Sequence, residues 1–221
     1  MGYLQEENGL KTWKKSKQLK KLRRFVYLIS PNKIDKSFYR DLDKVLSYKN
    51  VKFFQLRLKN ISTGNLIKII NKIKKITTKH SVKFILNDNF FLANASEVDG
   101  CHMGQLDGSF KIARKKLKNK ILGITCHNSK RLAKNAIKFK ADYIAFGSFF
   151  KSKLKPNAKK ANLSILKWSK KNIKRPIVVI GGINNLNYKR LLNAGAKYIA
   201  ISSFIWDNPK LKPELAIRKF K

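Results

Sequence analysis

Asp88 and Asp107 stand out in a chain that has only 12 acidic residues against 51 basic ones. Each follows a short apolar run, VKFIL at 82–86 and DGCHM at 99–103. Two carboxylates at neighbouring strand ends suit a magnesium ion, which takes one or two carboxylates and completes its shell with substrate phosphate oxygens. An Asp just after a strand also serves as a helix N-cap, and spacing alone leaves the two readings even. Upstream, Gln55-Leu56-Arg57-Leu58-Lys59 closes another apolar run. Strand alternation sends Gln55, Arg57 and Lys59 to one side. Two cations and an amide converging there make poor core and a good anion clamp. The competing reading is an internal salt-bridge layer, for which this chain has few acids.

Other groups recur at the ends of such runs. Thr125-Cys126-His127-Asn128 offers a hydroxyl and an imidazole, suited to contacting a ring or shuttling a proton. A lone His at such a place is more often a structural hydrogen-bonder. Residues 147–155, GSFFKSKLK, form a long loop whose lysines can neutralise phosphate. Gly181-Gly182-Ile183 and Ser202-Ser203 have the composition of a barrel phosphate site, in which bare backbone N–H groups point at the anion. A tight turn explains the glycine pair equally well. Cys101 and Cys126 have no zinc-ligand spacing, are too few for a disulfide framework, and read as small core residues.

These groups need a scaffold that gathers strand ends. Eight apolar runs, rich in β-branched and aromatic residues, cover 25–30, 51–57, 82–86, 99–103, 121–125, 143–147, 177–180 and 198–202. Such runs suit strands buried on both faces. Between them the spacing predicts helices near 36–48, 63–78, 89–96, 109–118, 128–139, 161–171, 185–193 and 210–220. Asn128, Ser129 and Asn162 stand where N-caps are expected. Eight alternations imply a parallel sheet, and no G-x-G-x-x-G follows the first strand. The expected fold is therefore α/β, a single (β/α)8 TIM barrel over 25–221 with its site at the strand C-termini. Residues 1–24 read as a Lys-rich N-terminal extension.

Composition narrows the function classes. The chain has 221 residues, 43% of them hydrophobic, enough for one sizeable core. No apolar run reaches the roughly 18 residues that span a bilayer, and the N-terminus lacks an apolar signal core. We expect a cytoplasmic protein with reduced thiols and no membrane partner. The net charge of +39 is carried mostly by lysine, 42 of the 51 basic residues, spread along the chain. That pattern reads as solvated surface and not as a specific nucleic-acid reader, although non-specific RNA adsorption is physically expected.

Taken in order, the motifs QLRLK at 55–59, ND at 87–88, DGCHMGQLD at 99–107, GITCH at 123–127, ADYIAFG at 141–147 and IGGI at 180–183 resemble the thiamine-phosphate synthase family. The resemblance runs from about residue 25 to the C-terminus and places the chain in the thiamine synthase and thiazole tautomerase superfamily. It implies a transferase that joins hydroxymethylpyrimidine pyrophosphate to thiazole phosphate with the help of Mg2+. No covalent enzyme intermediate is needed, which agrees with the lack of a nucleophilic triad. It also implies roles. Gln55, Arg57, Lys59, Asn87 and Lys155 bind the pyrimidine pyrophosphate, and Asp88 and Asp107 hold the metal. Gly182, Ile201 and Ser202 take the thiazole phosphate. Thr125 and Ser152 contribute hydroxyls, and Arg57, Lys59, Thr125 and Lys155 act on the leaving group. The chain departs from the family where Thr125 replaces the usual Ser, and where Ser152-Lys153-Leu154-Lys155 replaces Thr-x-Thr-Lys. A tautomerase-like isomerase using His127 is the first alternative, and a non-catalytic anion- or RNA-binding barrel the second. Oligomeric state stays open, a homo-oligomer included.

Overall fold

The computed structural model describes residues 24–150 and 160–221. Eight parallel strands close into a barrel in sequence order, and the last pairs with the first. They are β1 Val26–Ile29, β2 Val51–Leu56, β3 Lys83–Asn87, β4 Gly100–Met103, β5 Ile121–Thr125, β6 Tyr143–Gly147, β7 Ile177–Ile180 and β8 Tyr198–Ile201. The helices between them are α1 Phe38–Leu46, α2 Thr63–Lys79, α3 Phe90–Ala95, α4 Phe110–Leu117, α5 Lys130–Lys138, α6 Leu163–Asn172 and α7 Tyr188–Asn193. After β8 come α8 Ser203–Trp206 and α9 Pro213–Ile217. The expected (β/α)8 barrel is the fold. The expected extension at 1–24 lies outside the described residues except for Arg24.

The strands are mostly apolar because they have two buried faces. Val26 and Leu28 point outward into the large core shared with the helices. Tyr27 and Ile29 point inward and join Phe53, Ile85, Tyr143, Ala145, Val178 and Ala200 in the lumen. Tyr27 packs its ring against Phe53 and Tyr143, with centroids 5.2 and 5.6 Å away. The Tyr143 ring needs Gly123 on the neighbouring β5, since a Cβ there would overlap it.

Side-chain caps fix most helix starts. Ser62, Asn89, Ser109, Ser129 and Asn162 each accept a backbone N–H of the helix that follows. Ser129 and Asn162 fill the places expected for them, whereas Asn128 precedes the cap of α5. The final helix is shorter than the stretch 210–220. The four-residue α8 carries no periodic signal in the sequence. It is held where it is by Trp206, whose Nε1 donates to the Ile29 carbonyl at 2.6 Å.

Candidate active site

At the C-terminal rim, β2 and β3 meet through their last side chains. Gln55 is 3% exposed and donates from Nε2 to Asn87 Oδ1 at 3.1 Å. This bond orients both amides where the barrel opens. Arg57 follows on the same side, and its backbone N–H is held by Ser30 Oγ at 3.0 Å. Arg57 and Lys59 form no ion pair with any described acid. The alternative of an internal salt-bridge layer therefore has no support among the described residues, which leaves the two cations available to an anion.

Asp88 stands just past β3 with φ at +65°, and its backbone N–H donates to the His102 carbonyl of β4 at 2.8 Å. Neither Asp88 nor Asp107 caps a helix. Asn89 caps α3 and Ser109 caps α4, each one or two residues further on. The carboxyl groups instead lie within hydrogen-bonding reach of each other. Burial and the neighbouring Asp107 push the Asp88 carboxyl up to about 6, although the Lys59 and Arg57 charges pull it back. Asp107 is anchored through Oδ2, which accepts the Gly104 N–H at 2.6 Å. Two crowded carboxylates facing two unpaired cations form a hard-oxygen donor set that suits a small divalent cation. No cluster of three or more metal-binding side chains occurs among the described residues.

A cavity of about 930 Å³ opens at the centre of the mouth. Its walls include Thr125 at the end of β5, His127 just beyond it, Gly181 and Gly182 after β7, Ile201 at the end of β8, and Ser202 and Ser203 after it. Gly181 and Gly182 both take positive φ, +107° and +58°, so the turn can carry no Cβ cheaply and exposes its backbone. Arg57 lines this cavity and also an adjoining one of about 750 Å³, which Lys59 lines too. Thus the Gln55–Asn87 pair, the two cations, the two carboxylates, Thr125 and the β7–β8 turns are all gathered at one end of the barrel. Ser152 and Lys155 lie outside the described residues. Lys160, outside the expected set, contributes to the cavity wall. The imidazole of His127 is exposed, with no hydrogen-bond partner among the described residues.

Sequence reasoning also missed what lies beneath Thr125. His102 Nε2 is 2.7 Å from Thr125 Oγ1, and its Nδ1 is 2.9 Å from the Tyr143 hydroxyl. Tyr143 in turn meets the Tyr27 hydroxyl at 2.7 Å. Desolvation holds the His102 imidazole down at about 4, so it is neutral near pH 7. Gln105 fixes the Thr125 carbonyl from the β4–α4 loop at 2.5 Å. The available signal was alternation: Tyr27 and Tyr143 fall at lumen positions, where a hydroxyl must find a partner. The two thiols are buried and free, and burial pushes Cys126 up to about 12. They are core residues, as expected.

Fold and rim together define a class: a (β/α)8-barrel protein with an anion clamp, a carboxylate pair and a glycine turn around one mouth. The chain belongs to the thiamine monophosphate synthase family, whose sequence model matches residues 26–205. It is 55% identical to the thiamine-phosphate synthase of Pelagibacter ubique over 206 residues, 93% of this chain and all of that one. It is 38% identical to the thiamine-phosphate synthase of Erythrobacter litoralis, over 82% of this chain and 87% of the relative. Among solved structures, a thiamine phosphate pyrophosphorylase from Pyrococcus furiosus superposes with a TM-score of 0.80 at 26% identity, covering 90% of this chain and 94% of that one. Among the described residues no helix is long and apolar enough to cross a membrane.

Proposed function

We propose that this chain is a thiamine-phosphate synthase. It breaks the bond between the pyrimidine methylene carbon and pyrophosphate, and a thiazole-phosphate nitrogen takes that carbon. Family membership supports the reaction. The observation that carries the site is the Asp88–Asp107 pair, spared from helix capping and set opposite unpaired Arg57 and Lys59.

The residues divide the work. Gln55 and Asn87, already fixed to each other, present amide groups to the pyrimidine pyrophosphate. Arg57 and Lys59 hold its phosphates, joined by Lys155 and Ser152, which follow β6 in the sequence. As the leaving group departs, charge builds on its oxygens, and fixed cations and donors there act where electrostatic catalysis is strongest. Thr125 supplies one such donor. Gly182, Ile201 and Ser202 seat the thiazole phosphate, so that its ring nitrogen faces the same centre. Asp88 and Asp107 are the ligands for Mg2+, which when bound supplies Lewis-acid charge to the pyrophosphate oxygens. The small phosphorylated substrates and the free thiols fit cytoplasmic work.

The tautomerase alternative would use His127 as acid or base. Such a group is normally oriented by a second one, and His127 has no described partner. One assay decides. Purified protein is incubated with both substrates and magnesium, and pyrophosphate release is followed. Release that requires both substrates is the expected result. A folded protein that releases none would overturn the reading.

A further inference from the structure

The Thr125 hydroxyl has two possible hydrogen-bond directions, and the structure permits a choice between them. The chain Tyr27–Tyr143–His102–Thr125 runs from the dry lumen to the cavity wall, with separations of 2.7, 2.9 and 2.7 Å. Tyr27 and Tyr143 are each 2% exposed. Among the described residues, the Tyr27 hydroxyl meets no polar group except Tyr143.

Counting hydrogens fixes the order. If Thr125 donated to His102 Nε2, the ring would carry its proton on Nδ1 and donate to Tyr143. Tyr143 would then donate to Tyr27, and the Tyr27 hydrogen would have no acceptor among the described residues. A doubly protonated ring leaves the same hydrogen stranded. An unsatisfied buried donor is expensive, and the opposite direction has none. In that direction Tyr27 donates to Tyr143, Tyr143 to Nδ1, and Nε2–H to Thr125 Oγ1. The Thr125 hydrogen is then left to point into the cavity.

We infer that Tyr143 and His102 are positioning residues that force the Thr125 hydroxyl to act as a donor toward the cavity. This deepens the synthase reading, and rests on it in one respect: that the acceptor there is the departing pyrophosphate. Gly123 belongs to the device, since its missing Cβ lets Tyr143 reach His102. Tyr27 does not decide the direction. Without its hydroxyl, Tyr143 becomes the buried terminus and, among the described residues, still has only Nδ1 to donate to.

Two measurements test this. Nitrogen-15 NMR of histidine-labelled protein should show His102 as the neutral Nε2–H tautomer. An Nδ1–H tautomer would overturn the inference whatever the activity. The second measurement is a kinetic cycle. Thr125→Val should lower kcat by roughly 10²–10³-fold, the range for losing one donor to developing charge. Tyr143→Phe should lower kcat roughly tenfold with KM little changed, because Nδ1 then has no partner to set the tautomer. Tyr27→Phe, which removes an equally buried hydroxyl, should stay within about threefold. In the Thr125→Val background, Tyr143→Phe should cost nothing more. With Thr125→Ser, which keeps the hydroxyl, its cost should return. Equal losses from Tyr27→Phe and Tyr143→Phe, or a Tyr143→Phe loss that persists without the Thr125 hydroxyl, would mark a structural role only and overturn the proposal. If the wild-type protein made no product, the synthase reading would fall and the tautomer would still decide the direction.

Discussion

Asp88 combines two constraints that can be separated by one substitution. Its backbone sits at φ +65°, a region that Asn tolerates at least as well as Asp. Asp88→Asn therefore removes the charge without straining the turn. We expect kcat with magnesium to fall by at least about 10²-fold, since the leaving charge loses its strongest counter-charge. Stability should move the other way. The folded protein raises this carboxyl to about 6, above its value near 4 in an unfolded chain, so folding favours the protonated form. That contribution is complete below about pH 4 and is lost as pH rises through about 6. The metal-free wild type should lose Tm between pH 5 and pH 7 relative to Asp88→Asn, and magnesium should cancel the difference. Thermal melts of both proteins at the two pH values check this. A wild type with no such relative loss would show that the carboxylates do not repel. Magnesium binding should weaken as pH falls through about 6, because the ligand must be ionised.

At the scale of elements, the strands were legible and the polar chain inside the barrel was not. Runs such as FVYLI at 25–29 carry a two-sided apolar signal that few other structures need. Helix starts were partly legible through Ser129 and Asn162. Of the two readings open for Asp88 and Asp107, geometry removes only the cap, because Asn89 and Ser109 one or two positions on do the capping. Four-residue α8 shows no period at all, and its place depends on Trp206 reaching β1. His102 could not be read from a pattern, since its partners come from strands distant in sequence. These separations make different predictions. Ser109→Ala should cost about 1 kcal/mol of stability, the usual value of an N-cap, and leave magnesium affinity intact. Gly123→Ala should cost roughly 1–3 kcal/mol through overpacking and also lower kcat, since the new methyl displaces Tyr143. Denaturant melts and steady-state kinetics on both variants check this. A Ser109→Ala protein that lost magnesium binding would mean that the helix and the proposed metal site are coupled.

Across the whole molecule, the charge of +39 acts on stability and on catalysis with opposite signs. Most described lysines are exposed, and acids to pair with them are few. Close-set like charges repel in the folded state more than in the expanded chain, so self-repulsion destabilises the fold. The same field draws the two anionic substrates toward a mouth that already holds Arg57 and Lys59 unpaired. Salt shortens the reach of both effects, from a Debye length of about 20 Å near 0.02 M to about 7 Å near 0.2 M. Raising potassium chloride over that range should therefore raise Tm. It should also lower kcat/KM for the pyrimidine pyrophosphate several-fold, with kcat much less affected, because the field acts on encounter and not on bond breaking. Melting curves and initial rates across the salt series measure the two effects on one sample. If kcat fell in step with kcat/KM, salt would be acting inside the mouth, on the clamp and the carboxylate pair. The surface lysines would then have no steering role, and Lys59→Ala should remove most of the salt dependence by itself.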